Sequence, residues 1–205
     1  MSFHPKMAYD ATFQKSTRTL ADAGPAFIYT PENRATLDEI LTHYPPEQSR
    51  SAVLPALYLV QAQQGYITGN AMRHVAEVLR ITASDVEDVV TYYTMFYQKP
   101  VGKFVLSVCR TLSCAVNGAE RVVEEICSAL HIKPGETDAT GTFTLIEAEC
   151  LGACDRAPVV MVNDSWQEVQ RPEDVPRMLE NLRKHGEATL TGCHWVVERH
   201  EGDGR

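Results

Sequence analysis

Phe104-Val-Leu-Ser-Val-Cys109-Arg-Thr-Leu-Ser-Cys114 is the stretch that decides how the rest of the chain reads. Its first five residues form a nearly continuous apolar run rich in β-formers, which predicts a buried strand ending at Cys109. The two thiols that follow are spaced C-x4-C. A second short strand is expected over Phe143 to Ile146, leading to Cys150-Leu-Gly-Ala-Cys154, spaced C-x3-C. Strand ends suit ligands, because the sheet fixes where a loop starts while the loop stays free to wrap a metal. If the two strands are parallel, both loops leave the same edge of the sheet and four thiols meet at one point. Gly152 permits the backbone dihedrals that a tight wrap requires.

Outward from these pairs the pattern is regular. Residues 117 to 131 predict a helix with Val122, Val123, Ile126, Cys127 and Leu130 on one face. The stretch 132 to 142 reads as a loop. Val159 to Val162 and Trp166 to Val169 flank an Asn163-Asp164-Ser165 turn and read as a hairpin. Pro172 to Lys184 is a final helix. The order β-α-β-β-β-α predicts a small sheet covered by two helices.

Upstream the period changes. Thr30-Pro31-Glu32 is a helix start, and Ala35, Leu37, Ile40 and Leu41 give that helix an apolar stripe before Pro45-Pro46 ends it. A second helix is expected from Ser49 to Gln64, closed at Gly65. A third starts near Thr68 and carries Met72, Val75, Val78 and Leu79. A fourth opens on Ser84-Asp85-Val86-Glu87, a capping-box pattern. The expected organisation is α+β: a weakly structured arm over 1–29, a small helical bundle over 30–97, a small mixed sheet with two helices over 98–185, and a tail over 186–205.

Composition narrows the function classes. The formal net charge is −8, which argues against a nucleic-acid or anionic-membrane surface. The longest apolar stretch, Ala52 to Val60, contains Pro55 and is too short to span a bilayer, so no direct membrane insertion is expected. The first thirty residues lack an apolar signal-peptide core, which argues against secretion. Six cysteines in an intracellular chain do not read as a disulfide framework.

Four thiolates at one point suit a structural zinc or an iron–sulfur cluster. A [2Fe–2S] cluster takes two thiolates per iron, and two separated pairs supply them, but spacing alone leaves the choice open. A short loop places two thiolates on one metal more easily than across two, so Cys109 with Cys114 and Cys150 with Cys154 are the expected pairs. Backbone N–H groups from Leu112 to Ala115 and Leu151 to Asp155, rather than histidines, are expected to face the sulfurs. Cys127 reads as core packing and Cys193 as incidental. The chain has no G-x-G-x-x-G, no P-loop and no G-x-S-x-G, and its seven histidines form no metal-spaced cluster.

The residues around the two pairs are more specific. Val108-Cys109 through Cys114-Ala-Val-Asn117-Gly118, Ile132-Lys-Pro-Gly-Glu-Thr137, Gly141-Thr-Phe-Thr-Leu-Ile-Glu147 and Cys150-Leu-Gly-Ala-Cys154-Asp-Arg-Ala-Pro158 resemble the small [2Fe–2S] subunit of NADH–quinone oxidoreductase, respiratory complex I. Leu54-Pro55-Ala56-Leu57-Tyr58 and Thr91-Tyr92-Tyr93-Thr94-Met95-Phe96 extend the likeness upstream, so that it covers about residues 31 to 185. The resemblance implies a thioredoxin-like ferredoxin domain and one [2Fe–2S] cluster on Cys109, Cys114, Cys150 and Cys154. It implies a one-electron carrier that is not catalytic alone, beside a flavoprotein subunit that binds FMN and NADH and among other peripheral-arm subunits. The location it implies is cytoplasmic, on the inner face of the cell membrane through the complex, or the mitochondrial matrix in a eukaryote.

Relatives of the same domain serve NAD-linked formate dehydrogenases and bidirectional hydrogenases, which these residues do not separate from complex I. A zinc-stapled interaction module is the alternative from another class. A thioredoxin-like dithiol enzyme ranks below it, because neither pair is C-x-x-C. The aromatic group Tyr92, Tyr93, Phe96 and Tyr97 reads either as an interface anchor or as packing.

Overall fold

The computed structural model describes residues 24–167 and 170–186. It separates into two compact units that meet in sequence at Val101 and Gly102. Residues 1–23 of the expected arm, Glu168 and Val169 of the expected hairpin, and Cys193 with nearly all of the expected tail lie outside the described residues.

In the first unit, Thr30 caps α1 (Pro31–Leu41), its hydroxyl oxygen accepting from the Asn33 N–H at 3.2 Å. The second helix starts later than expected. A 3-10 turn over Pro46–Ala52, broken by non-helical dihedrals at Gln48, precedes α2 (Val53–Gln64). The Ser49 hydroxyl donates to the Leu79 carbonyl at 2.6 Å, so a long-range bond holds that turn in place of local helical periodicity. Thr68 caps α3 (Gly69–Leu79). The capping box of α4 (Ala83–Tyr92) falls two residues before the expected Ser84–Glu87 frame. It joins Thr82 to Asp85, an aspartate replacing the glutamate of the sequence pattern.

Leu37, Leu57, Val60, Met72, Val75, Leu79, Val86, Val90 and Phe96 bury one core among these helices. At about 1.5–3 kcal/mol for each fully buried large side chain, this burial outweighs anything that local propensity adds. The core also takes residues that the sequence reading placed in the arm. Phe27 and Tyr29 are buried, and the Tyr29 hydroxyl donates to the Ala56 carbonyl at 2.9 Å. Asn70 reaches back to the Gly24 carbonyl. Two isolated aromatics without a period give no sequence signal, so their burial is a tertiary effect.

The second unit carries β1 (Phe104–Cys109), α5 (Leu112–Val116), α6 (Ala119–Leu130), β2 (Phe143–Ala148), β3 (Val160–Val162), β4 (Ser165–Gln167) and α7 (Val175–His185). The single helix expected over 117–131 is α6; α5 is an additional short helix inside the C-x4-C loop. The sheet order is β2-β1-β3-β4, with β1 parallel to β2 and antiparallel to β3. β1 is buried along its whole length, as an interior strand with apolar residues on both faces must be. α6 brings Val122 and Ile126, and α7 brings Val175, Leu179 and Leu182, to the core that holds Leu106, Phe143, Leu145 and Val160.

The 132–142 loop folds back on β2. Asp138 organises it: one carboxylate oxygen accepts from the N–H groups of Thr142 and Phe143, both at 2.7 Å, and the other from the Thr140 hydroxyl. Burial raises the Asp138 pKa, but the bonds from Thr140, Phe143 and Thr142 outweigh it and hold the carboxyl below its usual range. Asp138→Ala should therefore cost about 1–3 kcal/mol at pH 7 in urea unfolding. A depressed folded pKa stabilises above the unfolded value of about 3.9 and loses that contribution as pH falls through the folded one. The stability gap between wild type and Asp138→Ala should close below about pH 4, and a gap that persists unchanged would contradict this account.

Candidate metal centre

The parallel register sets Phe104 opposite Phe143 and Cys109 opposite Ala148, so β1 and β2 end level. Cys109 is the last residue of β1, and Cys114 sits in the middle of α5. Cys150 follows β2 by two residues, and Cys154 opens a 3-10 turn over Cys154–Arg156. Two bonds tie the loops together. The Arg110 N–H donates to the Ala148 carbonyl at 2.9 Å, and the Arg110 guanidinium pairs with Glu149 at 2.6 Å.

The sulfurs come as two pairs. Cys150 Sγ lies 3.3 Å from Cys154 Sγ, and the Cys109 and Cys114 thiols influence each other's ionisation. A tetrahedral metal with thiolate bonds of about 2.3 Å has a ligand edge of about 3.8 Å, so the Cys150–Cys154 pair needs only a small adjustment to chelate one ion. The pairs are near enough for the charge of Cys109 to act on Cys150 and Cys154, and that of Cys154 on Cys114. Among the described residues no three His, Cys, Asp or Glu side chains converge on a single ion. Two cysteine pairs at one end of the sheet are a donor set chemically suited to a metal centre with thiolate ligands.

The pairs differ in exposure. Cys109 and Cys114 are buried, whereas Cys150 and Cys154 are exposed. Within each pair one thiol is held down and the other pushed up. Burial pushes Cys114 up to about 11. Burial also acts on Cys109, but the Thr111 hydroxyl, the N–H groups of Thr111 and Leu151, and the Cys114 thiol outweigh it and hold Cys109 below the usual thiol value. The Gly152 N–H, then the Cys154 thiol, hold Cys150 down, and donation to Cys150 pushes Cys154 up. A metal bound by these thiols would displace their protons.

Four N–H groups point at sulfur: Thr111 and Leu151 at Cys109, Gly152 at Cys150, and Val159 at Cys114. Leu151 and Gly152 lie in the expected segment. The first expected segment, 112–115, is not among these donors; its Ala115 N–H bonds to the Thr111 carbonyl instead. Thr111 and Val159 escaped the sequence reading. Thr111 lies between two ligand candidates in a C-x4-C loop, which is a signal that could have found it. Val159 follows the cis Ala157–Pro158 bond and is brought in by the fold. Cys127 is half-buried on α6; burial, then Glu147, Glu136 and Glu124, push its thiol up, which fits packing rather than ligation.

Comparison with known proteins adds a family to this geometry. The pattern of the thioredoxin-like [2Fe–2S] ferredoxins matches residues 37–183. The E-type subunit of the NADH-quinone oxidoreductase of Pseudomonas aeruginosa is 40% identical over 154 residues, covering 75% of this chain and 92% of that protein. Its counterpart in Escherichia coli is 36% identical over 158 residues, covering 77% and 94%. Among solved structures, an NAD+-reducing [NiFe]-hydrogenase is similar with a TM-score of 0.59 at 15% identity, over 69% of this chain and 25% of that one, a likeness of fold.

Gly152 has a φ of +86°, a conformation that costs an L-residue about 1–2 kcal/mol. An added Cβ would meet only a Trp166 ring carbon at 4.0 Å, so backbone strain and not crowding sets the cost. Gly152→Val should be destabilised in thermal unfolding and Gly152→Asn less so, because asparagine visits the left-handed region more readily. Equal losses, or none, would contradict the assignment.

Proposed function

The chain belongs to the thioredoxin-like [2Fe–2S] ferredoxins, as the E-type subunits of NADH–quinone oxidoreductase do, and from that premise we propose that it carries single electrons within such a complex on one cluster held by Cys109, Cys114, Cys150 and Cys154. The observation that carries the residue assignment is the arrival of two close thiol pairs at the level ends of two parallel strands. When bound, a [2Fe–2S] group supplies reversible one-electron chemistry. The protein's part is to hold four thiolates, to aim N–H donors at them, and to keep one pair dry while leaving the other at the surface. The exposed pair, Cys150 and Cys154, is the edge nearest to an electron partner.

NADH gives up a two-electron hydride, so a flavin must stand between it and a one-electron centre. The sequence offers no glycine loop to cradle a dinucleotide, and FMN and NADH are assigned to a partner flavoprotein. Leu112 and Val116, four residues apart on α5 around Cys114, are 80% and 77% exposed, an apolar contact beside the thiols for that partner. Tyr92, 77% exposed, is a candidate second contact, while its neighbour Phe96 is buried in the core of its own unit. Among the described residues no helix is long and apolar enough to cross a membrane. Attachment to the inner face of the membrane is accordingly assigned to the complex. The hydrogenase reading rests on a likeness of fold, whereas the NADH-quinone oxidoreductase relatives match over nearly their whole length.

Cys150→Ala should lose the red-brown visible spectrum of the purified chain, and Cys127→Ala should keep it. A normal spectrum in Cys150→Ala would sink the ligand assignment. In a second assay, a flavoprotein subunit of an NADH-quinone oxidoreductase should be required beside this chain for NADH to reduce an artificial acceptor. Turnover by this chain alone, free of flavin, would refute the division of labour.

A further inference from the structure

Thr111 occupies the N-cap position of α5. A threonine there ordinarily turns its hydroxyl oxygen to an N–H of the first helical turn, as Thr30, Thr68 and Thr82 do at α1, α3 and α4. Thr111 makes no such capping bond. Its hydroxyl lies 3.2 Å from Cys109 Sγ instead.

We propose that Thr111 is a positioning residue of the redox site, whose hydroxyl donates to the sulfur of Cys109 and thereby raises the reduction potential of the cluster. This rests on the reading of the four cysteines as [2Fe–2S] ligands. The direction of the bond follows from chemistry. A metal-bound cysteine is a thiolate without a proton, so the hydroxyl can only donate to it. Reduction adds one electron, and hence one unit of negative charge, which a donor aimed at sulfur stabilises more than it does the oxidised state. Cys109 is 1% exposed, so water has no ready access to replace a deleted hydroxyl. Nothing in the helix requires this geometry: a conventional cap would point the same group away from sulfur.

The test is a mediated redox titration of the full-length, cluster-loaded chain, followed by electron paramagnetic resonance, for wild type, Thr111→Val and Thr111→Ser. The midpoint of Thr111→Val should move to a more negative potential, by about threefold to tenfold in the one-electron equilibrium constant, where tenfold corresponds to about 59 mV. Thr111→Ser should stay near wild type. Failure of Thr111→Val to hold a cluster that Thr111→Ser retains also supports the donor role, since valine keeps the shape of threonine without its hydroxyl and serine keeps the hydroxyl without its methyl. A Thr111→Val midpoint equal to that of wild type overturns the proposal. So does loss of the cluster in both variants, which would make Thr111 a packing residue. A wild-type chain without a [2Fe–2S] signal would instead overturn the reading beneath it.

Discussion

The in-register parallel pairing of β1 with β2 is the constraint on which the site depends. It brings Cys109 level with Ala148, and therefore sets two loops far apart in sequence at one end of the sheet. A slip of one residue would turn β1 over and carry Leu106 and Val108 out of the core that holds them. The burial that stabilises the sheet thus also fixes where the thiols stand. The bond from Arg110 N–H to the Ala148 carbonyl and the Arg110–Glu149 pair extend that registration one residue beyond the strands.

Past that point the loops work with small devices. Gly152 takes a left-handed turn, and N–H groups from four separate residues face sulfur, as does one hydroxyl. The result is asymmetric, with Cys109 and Cys114 inside and Cys150 and Cys154 at the surface. Such asymmetry suits a carrier, which must be insulated on one side and reachable on the other. Leu112 and Val116, at the ends of α5, are exposed and flank a buried ligand candidate in sequence.

Much of this was legible before any coordinates. The apolar runs 104–108 and 143–146 are strands because continuous β-formers bounded by loops have few other solutions, and the threonine starts at 30 and 68 are caps because the hydroxyl chemistry is local. What failed was long-range or frame-dependent. α5 is too short to show a period. The start of α2 is displaced by a 3-10 turn tied to Leu79 thirty residues away. Asp85 and Glu87 offer competing capping frames, and Phe27 and Tyr29 enter a core that no local pattern announces. At the site, all four thiols and Gly152 were evident from spacing and residue type. Val159 was not, since a backbone donor has no sequence signature, and Thr111 was passed over although it stands between two ligand candidates.

The central claim is that two thiol pairs hold one binuclear cluster. Its most direct test is metal and acid-labile sulfide analysis of the full-length chain purified without exposure to oxygen. The account predicts about two irons and two sulfides per chain, with the paramagnetic signal of a single spin appearing on one-electron reduction. One zinc per chain, without labile sulfide and without colour, would contradict it.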